Sequence, residues 1–322
     1  MKIVKPSVKT INDFYNEKID STIFYPQEAR KIELAGRTCY DSFSKMNELD
    51  SDTNFCKNII KSKHFSVLEF AHAILSVDSE VYDELRYANF KFLNMTECND
   101  NYLISGNIRA WRGFVKTADC SSVLKEYILF KFINNEDYNP LFADIPWNDE
   151  INISDVSYNI KFETDYDLCE DERLMHVYYH FVVETDRAVL AELTRHRTMS
   201  FAVQSQRYVN YKKGVEFVKP HWYHDRPKGI INYWKRCLAY LSFHSGLRQS
   251  EKSYKRMIKM GMKPQDARSV LPNATKTIIN ISGSLEDFKW IFHLRCAKAA
   301  HPDIRNIADK MKRIVDFEEN FK

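Results

Sequence analysis

The sequence predicts an α+β protein, and three observations carry that expectation. Short stretches of alternating hydropathy lie between long helical ones without the regular strand–helix–strand alternation of a doubly wound sheet. Of the 322 residues, 44% are hydrophobic, enough for a sizeable core. No internal repeat points to a solenoid or array. The chain reads as a single domain, 1–322, carrying an acidic surface insertion at about 134–173.

In chain order, PQEARKIELAGR (26–37) has the spacing of a short helix that ends near Gly36. A second amphipathic helix is expected at about 51–63, after TCYDSF. The run FSVLEFAHAILSVDSEV opens as a turn or short helix and becomes strand-like over 73–77. Residues 79–95 and 102–115, the latter containing GNIRAWRGF, have helical spacing, so helices dominate this part of the chain. From about 134 to 173, NNEDYNPLFADIPWNDE and ETDYDLCEDER are rich in Asn, Asp, Glu and Pro, the composition of a long surface excursion. LMHVYYHFVVET then alternates as a strand does. DRAVLAELTRHR returns to helical spacing, with Ala188, Leu190, Ala191 and Leu193 available for packing. Extended character over 201–211 and a short strand at VEFVKP lead to two long helices, about 229–260 and 284–315, separated by GMKPQDARSVLPNATKT.

Composition narrows the function classes. A formal net charge of +3 with 28% charged residues gives little bulk attraction to nucleic acid or an anionic membrane, so any anion site is local. The seven cysteines show neither a CxxC pair nor zinc-ligand spacing, and read as reduced thiols of an intracellular protein. The opening MKIVKPSVKTINDFY lacks the apolar core of a signal peptide, and no run of about 18 apolar residues suggests a membrane span. A cytoplasmic location is expected. None of the 8 glycines forms GxGxxG or GxxxxGK[ST]. A bound nucleotide or flavin would need side-chain cations for its phosphates.

Those cations cluster in RHRTMSFAVQSQRY (195–208). Consecutive helical residues are about 100° apart, so Arg195, His196 and Arg197 fan out if the helix continues. Such a fan either complements the negative end of the helix in solvent or gathers an anion. Ser205 and Arg207, two apart in an extended segment, share a face and offer a hydroxyl and a bidentate guanidinium to one phosphate. A polar surface strand is the alternative, and the upstream triplet favours the dianion site. Arg268 in QDARSVLP stands where a helix should end and is equally suited to capping carbonyls. In LEDFKWIFHLRC, the spacing of Phe288, Ile291 and Arg295 places a guanidinium on an apolar stripe, where it needs a partner or a ligand because unpaired burial costs on the order of several kcal/mol. His64, Ser66 and Glu69 share one turn, as ligand contacts or as a capping box. His176 and His180 have the spacing of metal ligands but no third partner, so no metal site is expected. Neither GxSxG nor a cysteine in a catalytic context is present, and covalent catalysis by the protein is not indicated.

RHR followed by seven residues and Ser, as RHRTMSFAVQS stands here, resembles the signature of flavin-dependent thymidylate synthases. The resemblance extends to IELAGRTCYDS, HFSVLEF, GNIRAWR, ETDRAVLAELTRHRTMSFAVQSQRYVNY, GMKPQDARSVLPNATKT, and FHLR followed by AAHPDIR. It implies a flavin-dependent thymidylate synthase-like fold, a mixed sheet with long helices, assembled as a homotetramer. It also implies methylation of dUMP, with FAD as cofactor and with methylenetetrahydrofolate and NADPH as co-substrates. No nucleic acid polymer and no membrane is among the implied partners. By position, Arg195, His196, Arg197, Thr198, Ser66, His64 and Ser284 correspond to cofactor-binding positions. Glu192, Arg195, Ser205, Gln206, Arg207 and Arg268 correspond to the nucleotide site, and Arg295 to the catalytic arginine held against the uracil. The chain departs from the pattern at Phe70, where a histidine is usual, and at Val203, where Glu or Gln is usual. Ser284 and Glu286 stand where Asn and Arg commonly touch FAD, and AHPDIR replaces AQxEIR.

Overall fold

The computed structural model describes residues 1–18, 28–47, 50–98, 101–148, 158–164, 168–224 and 229–320. Strands β1 (Lys2–Val4) and β2 (Ser7–Thr10) precede helices α1 (Ile11–Lys18), α2 (Glu28–Tyr40) and α3 (Ser51–Lys61). A 3-10 turn, Phe65–Phe70, then leads to β3 (His72–Val77), α4 (Ser79–Ala88), β4 (Asn94–Cys98) and β5 (Asn101–Asn107). Helices α5 (Ile108–Thr117), α6 (Ser122–Ile133) and α7 (Asn139–Phe142) come next, followed by β6 (Lys161–Glu163) and α8 (Glu170–His176). The C-terminal portion contains β7 (Tyr178–Asp186), α9 (Arg187–Leu193), β8 (Ser200–Val203) and β9 (Glu216–Val218). It finishes with α10 (Ile230–Lys259), α11 (Pro264–Ala267), β10 (Lys276–Ser284), α12 (Leu285–Arg295) and α13 (Pro302–Asn320).

Two antiparallel four-stranded sheets, ordered β4-β5-β3-β6 and β2-β7-β10-β8, and a parallel β1-β9 pair make the chain α+β, as its sequence predicts. Alternation along the strands separates the layers. On β7, Tyr179, Phe181 and Val183 join Val189 and Leu193 of α9, Phe288 and Ile291 of α12, and Ile307 and Met311 of α13 in one core. Truncating a fully buried ring such as Phe181 to alanine costs about 3–5 kcal/mol. The opposite face of β7 and β10 is polar where it meets α2. There Asn280 accepts from His180 at 2.8 Å and donates to Thr38 at 2.6 Å, and Thr38 in turn donates to the carbonyl of Leu34 at 2.8 Å. This chain satisfies polar groups that a sheet-to-helix interface would otherwise strand.

Several local expectations change in three dimensions. Gly36 does not end the first helix; α2 continues to Tyr40. A Cβ at Gly36 would lie 2.2 Å from the Phe55 ring, so the glycine serves close packing of α2 on α3. The helix expected over 79–95 stops at Ala88, where Asn89 takes a left-handed φ of 44°, and β4 follows. Likewise only the second half of 102–115 is helical, because Asn107 ends β5 and caps α5 by accepting from the Ala110 N–H.

The acidic stretch over 134–173 is not a surface appendage in its described residues. Leu141, Phe142, Ile145 and Ile160 are buried against Trp111 and Phe132, and β6 completes a sheet. Asp144 takes both guanidinium ends of the buried Arg112 at 2.7 Å. Burial would raise the Asp144 pKa, but the hydrogen bonds and charge of Arg112 outweigh it and hold the carboxyl below its usual range. The stretch is acidic in part because a buried cation needs it.

His176 and His180, the pair with metal-like spacing, are core histidines. His176 is buried between Thr96 and Ser105, at 2.7 and 2.8 Å. Burial lowers each pKa from 6.5 to about 4, which keeps both rings neutral. Between those two values the unfolded chain binds more protons than the folded one, so stability rises with pH across that window. The contribution is complete above pH 6.5 and is lost as pH falls toward 4. Urea midpoints should show a loss of about 2 kcal/mol per histidine between about pH 6.5 and 5. His180→Gln should flatten that slope, and an unchanged slope would assign the acid sensitivity elsewhere.

Candidate functional site

Helix α9 opens with the Asp186 carboxylate accepting from the Val189 N–H at 2.8 Å and closes at Leu193. Its end comes earlier than the helical spacing of DRAVLAELTRHR suggests. At the end of the helix the Thr194 N–H bonds the Leu190 and Glu192 carbonyls, and the Thr194 hydroxyl donates to the Leu190 carbonyl at 3.1 Å. The basic triplet therefore lies on a turn. In that turn His196 is buried while Arg195 and Arg197 are exposed, so the fan expected of a helix becomes one imidazole inward and two guanidiniums outward.

Arg295, the last residue of α12, grips this turn with three bonds. Its Nη1 pairs with the Glu192 carboxylate, its Nη2 donates to the Glu192 carbonyl and its Nε donates to His196 Nε2, each at 3.2 Å. The apolar stripe thus delivers a guanidinium that caps the C-terminal end of α9, a favourable place for a cation. Because Nε of arginine only donates, His196 Nε2 must accept, and the proton of the neutral ring sits on Nδ1. Burial and then the Arg295 charge push the His196 pKa down, in keeping with that neutral tautomer. Two of the five guanidinium N–H groups remain available.

The turn bearing His64 and Ser66 is tied to the same region by Glu69. Its carboxylate pairs with Arg109 at 2.6 Å and accepts from the Ser200 hydroxyl at 3.1 Å, three residues beyond Arg197. Glu69 is thus a cross-link between turn and strand, and the capping-box alternative does not form. His64, Ser66 and Thr198 are exposed. Phe70 is buried, its ring 5.2 Å from that of His180. Met199 packs where a Cβ on Gly283 would come within 2.7 Å, so that glycine lets the turn seat against the start of α12.

Ser205 and Arg207 do not share an extended face. β8 ends at Val203, and the Ser205 hydroxyl accepts from the Arg207 N–H at 3.2 Å in a tight turn. The turn docks on the end of α2 through the Ser205 N–H to the Cys39 carbonyl at 3.0 Å and the Tyr40–Tyr208 rings at 5.0 Å. The exposed Arg207 guanidinium lies 5.5 Å from the Tyr208 ring centroid. Gln206 is half-buried in the same turn, and Val203 is half-buried against the main core.

Arg268 donates from Nε to the Gln265 carbonyl at 3.1 Å, the capping role that its position also suggested. Its charge acts on Arg187, a residue that sequence reasoning missed. Burial and then the neighbouring Arg268 charge lower the Arg187 pKa, with Tyr211 opposing. A signal was present: an arginine at the first position of a helix opposes the helix dipole and calls for another reason. Ser284, a cofactor-binding position by the resemblance, forms a helix cap. It is buried as the N-cap of α12, accepting from the Asp287 N–H at 3.2 Å and donating to the Asp287 carboxylate at 3.0 Å, so its hydroxyl is already used. Glu286 is exposed beside it.

The arrangement defines an α+β protein with a local basic site: exposed arginines around a neutral histidine, with a guanidinium locked beneath. Residues 171–317 of the chain match the model of the Thy1 family, thymidylate synthase complementing protein. A flavin-dependent thymidylate synthase of Geobacter sulfurreducens is 32% identical over 144 residues, 44% of this chain and 58% of the relative. That of Pyrococcus abyssi is 32% identical over 142 residues, 43% and 54% of the two chains. The match thus spans little more than half the length of these relatives. Among solved structures, the UMP/dUMP methylase PolB from Streptomyces cacaoi bound with 5-Br dUMP aligns over 98% of this chain and 91% of its own, at 13% identity and a TM-score of 0.41.

The Arg295–His196 bond has a measurable consequence. Arg295→Met removes a cation and a donor from Nε2, so the His196 pKa should rise while staying below 6.5, since burial, the larger cause, persists. Titration of the histidine ring signals by NMR measures this. An unmoved His196 would mean that the two side chains do not meet in solution.

Proposed function

We propose that the protein is a flavin-dependent thymidylate synthase, a methyltransferase converting dUMP to dTMP with FAD, methylenetetrahydrofolate and NADPH. The observation that carries this reading is the grip of Arg295 on Glu192 and His196, directly beneath a turn whose two arginines stay exposed. Arg195 and Arg197 make no ion pair with a described residue, and the exposed hydroxyls of Ser66 and Thr198 make no side-chain hydrogen bond among the described residues. These groups fit a flavin dinucleotide, whose phosphates need side-chain donors in a chain without a glycine-rich cradle. His64 stands on the same turn as Ser66, beside the proposed flavin and folate. Bound FAD would supply the redox chemistry for which the chain has no residue of its own.

For the nucleotide, Ser205, Gln206 and Arg207 form the proposed phosphate cradle, with Arg268 and Arg187 adding positive charge. Glu192 holds Arg295 in place. The two free N–H groups of Arg295 would meet the uracil and stabilise negative charge on the ring, which makes its C5 carbon nucleophilic. We also propose self-association into a homotetramer. Ile230, Ile231, Tyr233, Trp234, Leu238 and Leu241 leave the first half of α10 apolar and exposed, a patch that a second copy would cover. The free thiols fit a reducing, cytoplasmic setting.

A second reading rests on Phe70 and Val203. Both put apolar side chains where the resemblance implies polar ones, which suits a related flavin enzyme modifying another pyrimidine nucleotide, or a silent nucleotide-binding homologue. Mass analysis of the nucleotide product and release of the C5 hydrogen separate the three. Absence of FAD binding at saturating dUMP would remove the leading reading.

Three further outcomes are expected. Arg295→Ala should lower turnover by about 10- to 100-fold, the scale of a lost charge-assisted hydrogen bond or two, with FAD affinity little changed. Equal loss of both with a lower melting temperature would assign Arg295 to structure alone. Arg207→Ala should instead raise the dUMP concentration for half-saturation by about 10-fold at similar turnover. For assembly, light scattering of Trp234→Glu should give a smaller species than the parent chain, and an unaltered mass would remove α10 from the interface.

A further inference from the structure

Away from the basic turn, His221, His301 and Asp303 place three ligand-type atoms within 4.8 Å of one another. Asp303 Oδ2 lies 3.4 Å from His221 Nδ1 and 3.8 Å from His301 Nδ1. Tetrahedral coordination at ligand distances of about 2.0–2.1 Å requires ligand–ligand edges of roughly 3.3–3.4 Å, so both separations are within about half an ångström of coordination. The two rings stand edge to face, 82° apart with centroids 5.3 Å from each other, so they converge on the carboxylate and do not stack. We propose that these three side chains bind one divalent transition-metal ion of the zinc class, clipping the segment after β9 to the start of α13.

The surroundings orient the ligands. Asp303 Oδ1 is held by the His221 N–H at 2.6 Å, which leaves Oδ2 directed at the two rings. Pro302 occupies the first position of α13 and fixes the backbone between His301 and Asp303. The Asp303 N–H meets His301 Nδ1 at 3.3 Å, a weak bond that metal would replace; the donor left over is a first-turn N–H that needs no intrahelical partner. His221 and His301 are exposed and Asp303 is half-buried, so an ion can enter and a water or other ligand can complete the shell. A softer, imidazole-binding ion is favoured over Mg2+ or Ca2+, which prefer all-oxygen shells.

The site is separate from the basic turn, but α13, which begins at it, packs against α9 in one core. The charges of Asp303 and His301 act on Asp186, the residue that caps the N-terminus of α9. Helix α9 has seven residues, about 10 Å, and its other end carries Glu192 and His196. The clip would therefore steady the helix from the end opposite to Arg295. His301 and Asp303 also belong to the AHPDIR segment that departs from AQxEIR, and the proposed nucleotide and flavin sites use neither residue.

The alternative is an ion pair and helix cap without metal, and the full-length, untagged chain distinguishes the two. Calorimetric titration with Zn2+ should give one ion per chain, with a rise in melting temperature that EDTA reverses, and Co2+ should give a visible ligand-field spectrum. His301→Gln and His221→Asn should each weaken Zn2+ binding by at least about 10-fold, the lower bound seen even for outer-shell changes. Asp303→Asn keeps an oxygen for the His221 N–H and so tests ligation separately from capping; it too should lose Zn2+ affinity while the metal-free melting temperature stays close to the parent value. No Zn2+-dependent shift in the parent chain, or parent-like affinity in the two histidine variants, would overturn the proposal.

Discussion

The hold of Arg295 on the end of α9 organises the basic region. One guanidinium satisfies a terminal carbonyl, pairs with the Glu192 carboxylate and directs the lone pair of His196. Its side chain is about one-fifth exposed, so solvent screens the pair only in part and the desolvation cost of a fully buried pair is avoided. Replacing Arg295 would take a partner from the Glu192 carboxylate and from His196 at once, while the Glu192 carbonyl would keep the Arg195 N–H. The turn carrying Arg195 and Arg197 is held by its own backbone bonds, with His196 facing inward to Arg295 and the two arginines left to solvent.

Around this contact the sheets act as a frame. β7 and β10 run antiparallel over nine residue pairs, so the start of α9 and the start of α12 emerge at opposite ends of one pairing. Both helices then pack on the same face with α13, and that shared core brings Arg295 to Glu192 across 103 positions of sequence. On the other face, the His180–Asn280–Thr38 chain ties α2 to the sheet, and the end of α2 in turn supports the Ser205–Arg207 turn through Cys39 and Tyr40. The basic site is thus assembled from both faces of one sheet. Glu69 adds the link to the second sheet region through Ser200.

The fold class was legible because alternation and helical spacing are local signals. β3, α3 and β7 follow them closely. The failures have local causes too. Asn89 and Asn107 are boundary residues embedded in runs whose apolar spacing otherwise continues, so two strands were hidden behind helical patterns. Gly36 has the composition of a stop signal, yet the Phe55 ring above it is what requires glycine. Much of the acidic stretch was misjudged because composition does not reveal that Asp144 neutralises a buried arginine. Of the candidate site, the arginines and His196 were readable from a spaced motif. Arg187 and the Glu69 cross-link were not, since the groups that hydrogen-bond them, Thr277 and Ser200, lie 90 and 131 positions away.

By itself the sequence determined the mixed α+β class, the presence of a basic motif, and an apolar stripe carrying Arg295. These depend on residue type and spacing within a few turns of chain. Only tertiary structure decided which of the cations is already paired, which serine is a cap, and which histidine faces inward. Those outcomes depend on contacts made across the whole chain. Ser284 and Ser66 are the same residue type, but one hydroxyl is consumed by Asp287 at a helix start and the other is left exposed. Local patterning places a side chain on an element, whereas its chemistry is set by the dielectric, charges and hydrogen-bond partners that packing brings to it.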